Sequence, residues 1–481
     1  MTIEESIWNH AAESPDKIAV KSGKDSCTYR ELTERIAAAA EKYRSLPGYA
    51  AGRSIMLAAG KQIEFVYAYF GAHLAGLTVA PMDAETNPTR FKYITDAIKP
   101  FAVIGFDLAE TGVQKVALSD FKVLPPRAAA PITFPDPEAS ADILFTTGTT
   151  GAPKGVPLTF ANEAAAANQI NAFIRNTTDD VEILALPVSH SFGLGRVRCC
   201  LTNGQTIILF GSFVNIKRLF RIIDEERVTG FTMVPASWKY LQKMCGTDLA
   251  RFSNQFKYIE MGSAFFSAED KRALAALFPT TRVTMHYGLT EASRSAFMEF
   301  HEDDAKLATV GKASPNVEIA IFDADGNRLP SGSEGEICVR GKHVMKGYLQ
   351  LDAKDFFFGD FFRTGDCGVM DADGYITLKS RIKELINVGG KKVAPVEVDE
   401  QILKIPGVAD CACAGVPDPS GVLGEVVKAF IVKAPDSNLS FEAIAAALQG
   451  KLESYKIPIE YAWIDAVPRT HNGKIQRGLL K

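Results

Sequence analysis

Between about residues 55 and 290, short apolar runs alternate with stretches of helical spacing. IMLAAG at 55, VIGF at 103, ADILFT at 141, EILALP at 182, TIILF at 206, FTMVP at 231, KYIEMG at 257 and VTMHYG at 283 are short, mostly apolar runs, which predicts buried strands. Between them IKRLFRIIDEERV and SAEDKRALAALF carry helical periodicity, the second opening on Ser267 as an N-cap with Asp270 three residues on. Such alternation predicts an α/β fold: a large N-terminal domain of mostly parallel sheets layered with helices. After residue 310 the pattern turns to hairpins, with Asp325-Gly326 and Asp373-Gly374 as turn dipeptides in a β-rich subdomain over about 310–380. KSRIKELINVGGKKV then reads as a junction. Beyond it CACAGV, VVKAFIV and YAWID as strands, with VEVDEQIL and FEAIAAALQGKL as helices, predict a small α+β C-terminal domain.

Composition narrows the function. With 481 residues, 47% hydrophobic and 23% charged, the chain has material for two or more cores. Its 53 basic and 57 acidic residues give a net charge of −4, with no general pull toward nucleic acid or an anionic membrane. The eight cysteines lack zinc-knuckle spacing and read as reduced core thiols. MTIEESIWNHAAES is not a signal sequence, and no run is apolar enough to span a membrane, so a cytoplasmic enzyme of small molecules is expected.

The most informative stretch is LFTTGTTGAPKGV at 144–156, where a strand enters a loop of threonines and glycines that ends on Lys154. Glycines let backbone N–H groups turn toward an anion, hydroxyls add donors and the lysine adds charge, so the loop suits phosphate. A Walker loop needs GxxxxGK followed by Ser or Thr; here Gly155 follows the lysine and the spacing differs.

This loop resembles the phosphate loop of the adenylate-forming superfamily, which includes acyl-CoA synthetases, acyl-AMP ligases, free-standing adenylation domains and firefly-type luciferases. LPVSHSFGL, MGSAFFS, HYGLTEAS, EGEICVRG, FRTGDCG, SRIKELINVGGKKVAPVEV and PRTHNGKIQR match in the same order, so the resemblance covers nearly the whole chain. It implies an N-terminal adenylation domain at 1–380, a hinge at 381–384 around Lys383, and a mobile C-terminal lid at 385–481.

The resemblance also implies an ATP site. Thr146, Thr147, Gly148, Thr149, Thr150, Gly151 and Lys154 would meet phosphate, and Gly262, Ser263, Ala264, His286, Tyr287 and Gly288 would surround the nucleotide. Thr290 would face the α-phosphate, Glu291 would hold Mg2+, and Asp366 with Arg381 nearby would take the ribose. Lys474 would reach the α-phosphate and the attacking carboxylate. Read alone, Thr290-Glu291 is an ordinary helix start, Asp366 and Arg381 a loop ion pair, and Lys474 a solvated tail charge.

His190, Trp238, Gly288 and Leu289 would line the acyl pocket, with Phe265 and Phe266 as further candidate walls. Gly193 stands where amino-acid-activating relatives often carry an aspartate, which disfavours an α-amino acid. In the thiol step, Gly389 and Gly390 would let a pantetheine arm pass beside the backbone. Lys379, Arg381, Lys383, Lys391 and Lys392 form either a solvated basic face or a contact for the phosphates of coenzyme A or an acidic carrier protein.

The activity implied is ATP-dependent activation of a fatty or aryl carboxylic acid as acyl-AMP, then transfer to the pantetheine thiol of coenzyme A or an acyl carrier protein. The alternatives are a free-standing amino-acid adenylating enzyme, a luciferase-like oxygenase, and a non-catalytic nucleotide sensor, which should lack Lys474 or Glu291.

Overall fold

The computed structural model describes residues 1–107, 112–125, 132–146, 153–211, 213–470 and 473–480. Each apolar run named above forms a strand, within two or three residues of its expected ends. They do not form one layer. Residues Gln114–Val116, Ala102–Ile104, Ser54–Ala59, Thr78–Asp83, Ser140–Thr146 and Lys154–Thr159 make a six-stranded sheet in that order. A nine-stranded sheet takes the later runs, and an N-terminal hairpin, Ile18–Ser22 with Asp25–Thr28, completes its edge through parallel pairing of Val20 with Ile207. Helices Tyr29–Ser45, Ile63–Leu74 and Ser191–Thr202 carry buried apolar faces into the core that both sheets share.

Helix starts follow their local chemistry. Thr2, Thr28 and Thr159 each form a reciprocal capping box, and Ser267 accepts from the Asp270 N–H as its spacing predicts. Both expected hairpin turns form, with Gly326 and Gly374 each at φ 84°, where a side chain would be strained.

Four neighbouring parallel strands place the site. Val181–Leu184, Gly230–Met233, Tyr258–Met261 and Arg282–Tyr287 run side by side, so their carboxyl ends emerge together. Each leads directly into a motif: LPVSH, VPASW, GSAFFS and GLTEAS respectively. The crevice outside the carboxyl ends of parallel strands is where open α/β sheets bind ligands. The β-rich segment, built on Glu318–Phe322, Glu334–Arg340, Phe361–Met370 and Ile376–Arg381, brings Asp366 and Arg381 to the same crevice as directly paired residues.

After residue 385 a short hairpin, Ile386–Val388 with Lys391–Val393, leads into helix Pro395–Leu403 and a three-stranded sheet of Val408–Pro417, Glu425–Lys433 and Glu460–Trp463. These elements pack a core of their own around Val398, Ile402, Ile431 and Ile444. Among the described residues no helix is long and apolar enough to cross a membrane.

Candidate active site

Tyr287 ends its strand with its hydroxyl donating to Asp366 Oδ2 at 2.6 Å, while Arg381 Nε lies 2.6 Å from Asp366 Oδ1. Arg381 also donates to the Thr364 carbonyl at 3.0 Å, and the Thr364 hydroxyl accepts from the Asp366 N–H. The carboxylate is thus held in one orientation, and each oxygen retains a lone pair for an incoming donor.

Three residues beyond Tyr287, the turn delivers Thr290 and Glu291. The Thr290 hydroxyl reaches Ser191 Oγ at 3.4 Å, which joins this turn to the loop after Val181–Leu184. Glu291 is buried and accepts from the Tyr348 hydroxyl at 2.6 Å. Burial, and then the Glu291 charge, push the Tyr348 phenol far above its ordinary pKa, so it stays a donor. Lys154 is half-buried at the start of its strand with Nζ 4.8 Å from the centroids of both Tyr348 and Phe356. Tyr348 therefore touches both the phosphate-loop lysine and the acidic residue of the turn. Nothing in its sequence context signals that role.

Thr147, Gly148, Thr149, Thr150 and Gly151 lie outside the described residues. The strands that bracket them are described, with Thr146 paired to Lys154 in antiparallel register.

Gly262 is a glycine because His286 stands where its side chain would be: an added Cβ would lie 2.0 Å from the imidazole Cε1. His286 is buried, its Nδ1 2.7 Å from Glu260 and its ring edge-on to Phe192 at 4.6 Å. Burial lowers its pKa against the pull of Glu260, so the imidazole is neutral. Ser263 follows at φ 75°, a left-handed conformation uncommon for a side-chain-bearing residue and found where function tolerates strain. Ala264 and Gly288 flank the same crevice, and Gly288 is sealed by the backbone of Arg294, 2.4 Å from where its Cβ would be.

The acyl-pocket expectations fare unevenly. His190 is half-buried at the N-cap of helix Ser191–Thr202, beside Thr290's partner Ser191. Leu289 is partly buried against the large shared core. Trp238 is 1% exposed inside a different core, with Met261 and Met285. Its size and apolar ring are used for packing beneath the nine-stranded sheet. Phe265 is exposed and Phe266 is buried in the same core as Trp238. Gly193 admits no side chain, since its Cβ would sit 2.2 Å from the Pro187 carbonyl oxygen.

From the C-terminal part, Lys474 meets this crevice. Its side chain is exposed at the mouth, yet enough protein surrounds the ammonium to lower its pKa; Arg381 acts in the same sense, while Asp366, Glu291 and Glu384 oppose. The neighbouring Gly473 approaches Ala236, on the turn that opens helix Pro235–Cys245. Arg477 anchors the segment by pairing with Asp399 and Glu384 and donating to the Cys413 carbonyl. Lys383 is exposed in a single 3-10 turn, Ile382–Glu384. Gly389 and Gly390 form the two-residue turn of the following hairpin, at φ 56° and 86°. Two successive positive φ values require such residues, so the turn alone accounts for both glycines.

Sequence reading passed over two buried charge networks. Glu182 and Glu260, both 0% exposed within strands, pair with Arg196, which Arg294 and His286 join through Glu260. Asp142 gathers His73, Tyr69 and Arg198, with Glu4 and Glu163 beside them. A carboxylate inside an apolar strand run, as in EILALP or KYIEMG, is the signal that could have disclosed the first.

Comparison with known proteins accords with this geometry. Oxalate–CoA ligase of Arabidopsis thaliana is 29% identical over all of this chain and 98% of its own length. The ATP-bound structure of MatB from Rhodopseudomonas palustris superposes with a TM-score of 0.91 at 26% identity, over 100% of this chain and 98% of that one. The apo structure of the same protein, with the same coverage and identity, superposes at 0.80, so this chain adopts an arrangement nearer the ATP-bound one. The AMP-binding enzyme profile matches residues 7–349 and that of the AMP-binding enzyme C-terminal domain matches 397–474: the chain belongs to the family of AMP-binding, adenylate-forming enzymes.

Proposed function

We propose that the chain is an ATP-dependent acid–thiol ligase that joins a carboxylic acid to AMP with release of pyrophosphate, then passes the acyl group to a pantetheine thiol with release of AMP. The observation that carries this reading is the joining of Tyr287, Asp366 and Arg381 at the crevice where the Thr290–Glu291 turn lies, with Gly473, next to Lys474, set against Ala236 at its edge. The attacking carboxylate and the α-phosphate are both anionic, and a cation placed beforehand offsets their repulsion as charge builds. In this reading residues 1–380 form the adenylation domain, 381–384 the hinge and 385–481 the lid. Asp366 takes the ribose hydroxyls, Tyr287 and His286 border the adenine, and Lys154 leaves its aromatic rings for the outer phosphates.

A magnesium ion fits the donors present. Among the described residues no three His, Cys, Asp or Glu side chains converge on one point, and a hard cation held mainly by ATP oxygens and water needs only a carboxylate such as Glu291. When bound, the ion neutralises phosphate charge. Tyr348 orients Glu291, so Tyr348→Phe is expected to raise the Mg2+ concentration needed for half-maximal activity about tenfold, matching a lost charge-assisted hydrogen bond of about 1.4 kcal/mol. A magnesium titration of pyrophosphate exchange measures this, and an unchanged midpoint would remove Tyr348 from the site.

Coenzyme A is the acceptor favoured by the relatives' names; a carrier protein presents the same thiol. The relevant experiment is acid-dependent exchange of labelled pyrophosphate into ATP over fatty, aryl and amino acids, followed by a choice of thiol. Exchange with non-amino acids and none with α-amino acids is expected, because Gly193 leaves no room for an ammonium partner. Absence of exchange across the whole panel would defeat the ligase reading.

A further inference from the structure

We infer that the acid activated here carries a neutral hydrogen-bonding group at its far end, a hydroxyl, carbonyl or amide, received by a polar cavity behind Thr290 and Ser191. The inference rests on the ligase reading above. With the carboxylate held at the α-phosphate beside Thr290, the rest of the acid extends away from the nucleotide along the side of Thr290 that faces Ser191. Thr290 and Ser191 are also walls of an internal cavity of about 20 Å3, which continues to Arg294, Glu163, Arg198 and His343, with aliphatic side chains of helix Phe160–Ile174 closing one side.

That volume holds one water-sized group. The surrounding side chains are built for a polar one. Arg294, Arg198, Glu163 and His343 are all more than nine-tenths buried. Glu163 Oε1 lies 2.9 Å from the Arg198 guanidinium but makes no hydrogen bond, and His343 Nδ1 is likewise buried without a partner. Leaving a buried polar atom without a partner is costly, a cost that a hydrogen-bonding group on the ligand removes. The guanidinium of Arg294 enters because Gly195 lacks a side chain: an added Cβ would lie 2.5 Å from its Nη1. Arg294 also donates to the carbonyls of Ser191 and Phe192, so the wall is fixed to the loop that carries His190.

Charge balance excludes an anionic end. Arg294 and Arg196 are matched by Glu260 and Glu182, and burial keeps His286 neutral. Arg198 is matched by Asp142, and His73, whose pKa rises to about 10 between Asp142 and Glu4, is matched by Glu4. Burial drives the Glu163 carboxyl well above its usual range and holds His343 down to about 4, so neither supplies a cation. No cation is left over for a second carboxylate or a sulfonate, while a protonated Glu163 can donate to an oxygen. A long apolar tail fares no better, since it would bury these polar atoms without partners.

The experiment is pyrophosphate exchange with acids of equal length that differ only at the far end, hydroxyl, methyl or carboxylate, over short linear and para-substituted aryl acids. The hydroxyl member of the best pair should exceed its methyl counterpart in kcat/KM by at least about a hundredfold, because a site made to hydrogen-bond a substrate group rejects the analogue lacking it. Glu163→Leu should shrink that ratio below about tenfold and leave the KM for ATP unchanged. Equal or better exchange with the methyl-ended acid, or a dicarboxylate as best substrate, overturns the inference and leaves the ligase reading standing. If Glu163→Leu does not fold, the wild-type ratios decide alone. No exchange with any acid defeats the ligase reading itself, and this inference with it.

Discussion

Lys474→Ala is expected to lower acid-dependent pyrophosphate exchange by at least about a hundred- to a thousandfold, the cost of removing one preorganised charge-stabilising group. Transfer of the acyl group from supplied acyl-AMP to the thiol should be largely spared. The asymmetry follows from where charge builds. In the first step two anions are driven together, and Lys474 is the cation that the C-terminal part brings to the crevice where Asp366 and Glu291 lie. In the second step the mixed anhydride is already activated and AMP is a good leaving group, so a fixed cation matters less. Lys474→Arg should recover little, because a planar fork does not replace a compact ammonium at the end of a flexible stem. Equal loss in both half-reactions would show that Lys474 supports the fold or the nucleotide site generally. The variant should fold as the parent does, since the Lys474 side chain is exposed and the segment is anchored by Arg477.

What the sequence discloses and what it withholds divide along physical lines. Apolar runs announce strands because burial on both faces requires continuous apolar residues, and every such run between 55 and 290 is a strand. Their division into two sheets is not announced, since it depends on pairings such as Val20 with Ile207, far apart in the chain and set by tertiary packing. Motif resemblance singles out Tyr287, Asp366 and Arg381, and in the structure Tyr287 and Arg381 both contact the Asp366 carboxylate. Tyr348 was missed because a lone tyrosine after a glycine carries no local signal; only its approach to Glu291 and Lys154 reveals it. For Trp238 the sequence does not separate pocket wall from core, since a large aromatic near a crevice suits both, and in the structure it packs in a core.

A disulfide between Ala236→Cys and Gly473→Cys should hold the chain in its present arrangement and so separate the two half-reactions. A Cβ built on Gly473 lies 3.7 Å from the Ala236 Cβ, within the roughly 3.5–4.5 Å span of a disulfide. One partner sits on the turn that opens helix Pro235–Cys245, the other next to Lys474, so the bond ties the C-terminal part to the crevice without occupying it. Gly473 stands at φ 81°, so a cysteine there costs about 1–2 kcal/mol. Seven native cysteines are buried, and Cys245 is half-buried, so parent protein treated with the same oxidant is the control. Under oxidising conditions pyrophosphate exchange should persist, while thioester formation falls in proportion to the fraction crosslinked and returns on reduction. The reason is geometric. The Gly389–Gly390 turn packs on Leu423, in the loop between Val408–Pro417 and Glu425–Lys433, and in the proposed reading it reaches the crevice by a turn of the C-terminal part about Lys383. Full thioester turnover in the crosslinked protein would mean that the thiol enters with the present arrangement intact, and the hinge at 381–384 would then have no part in the reaction.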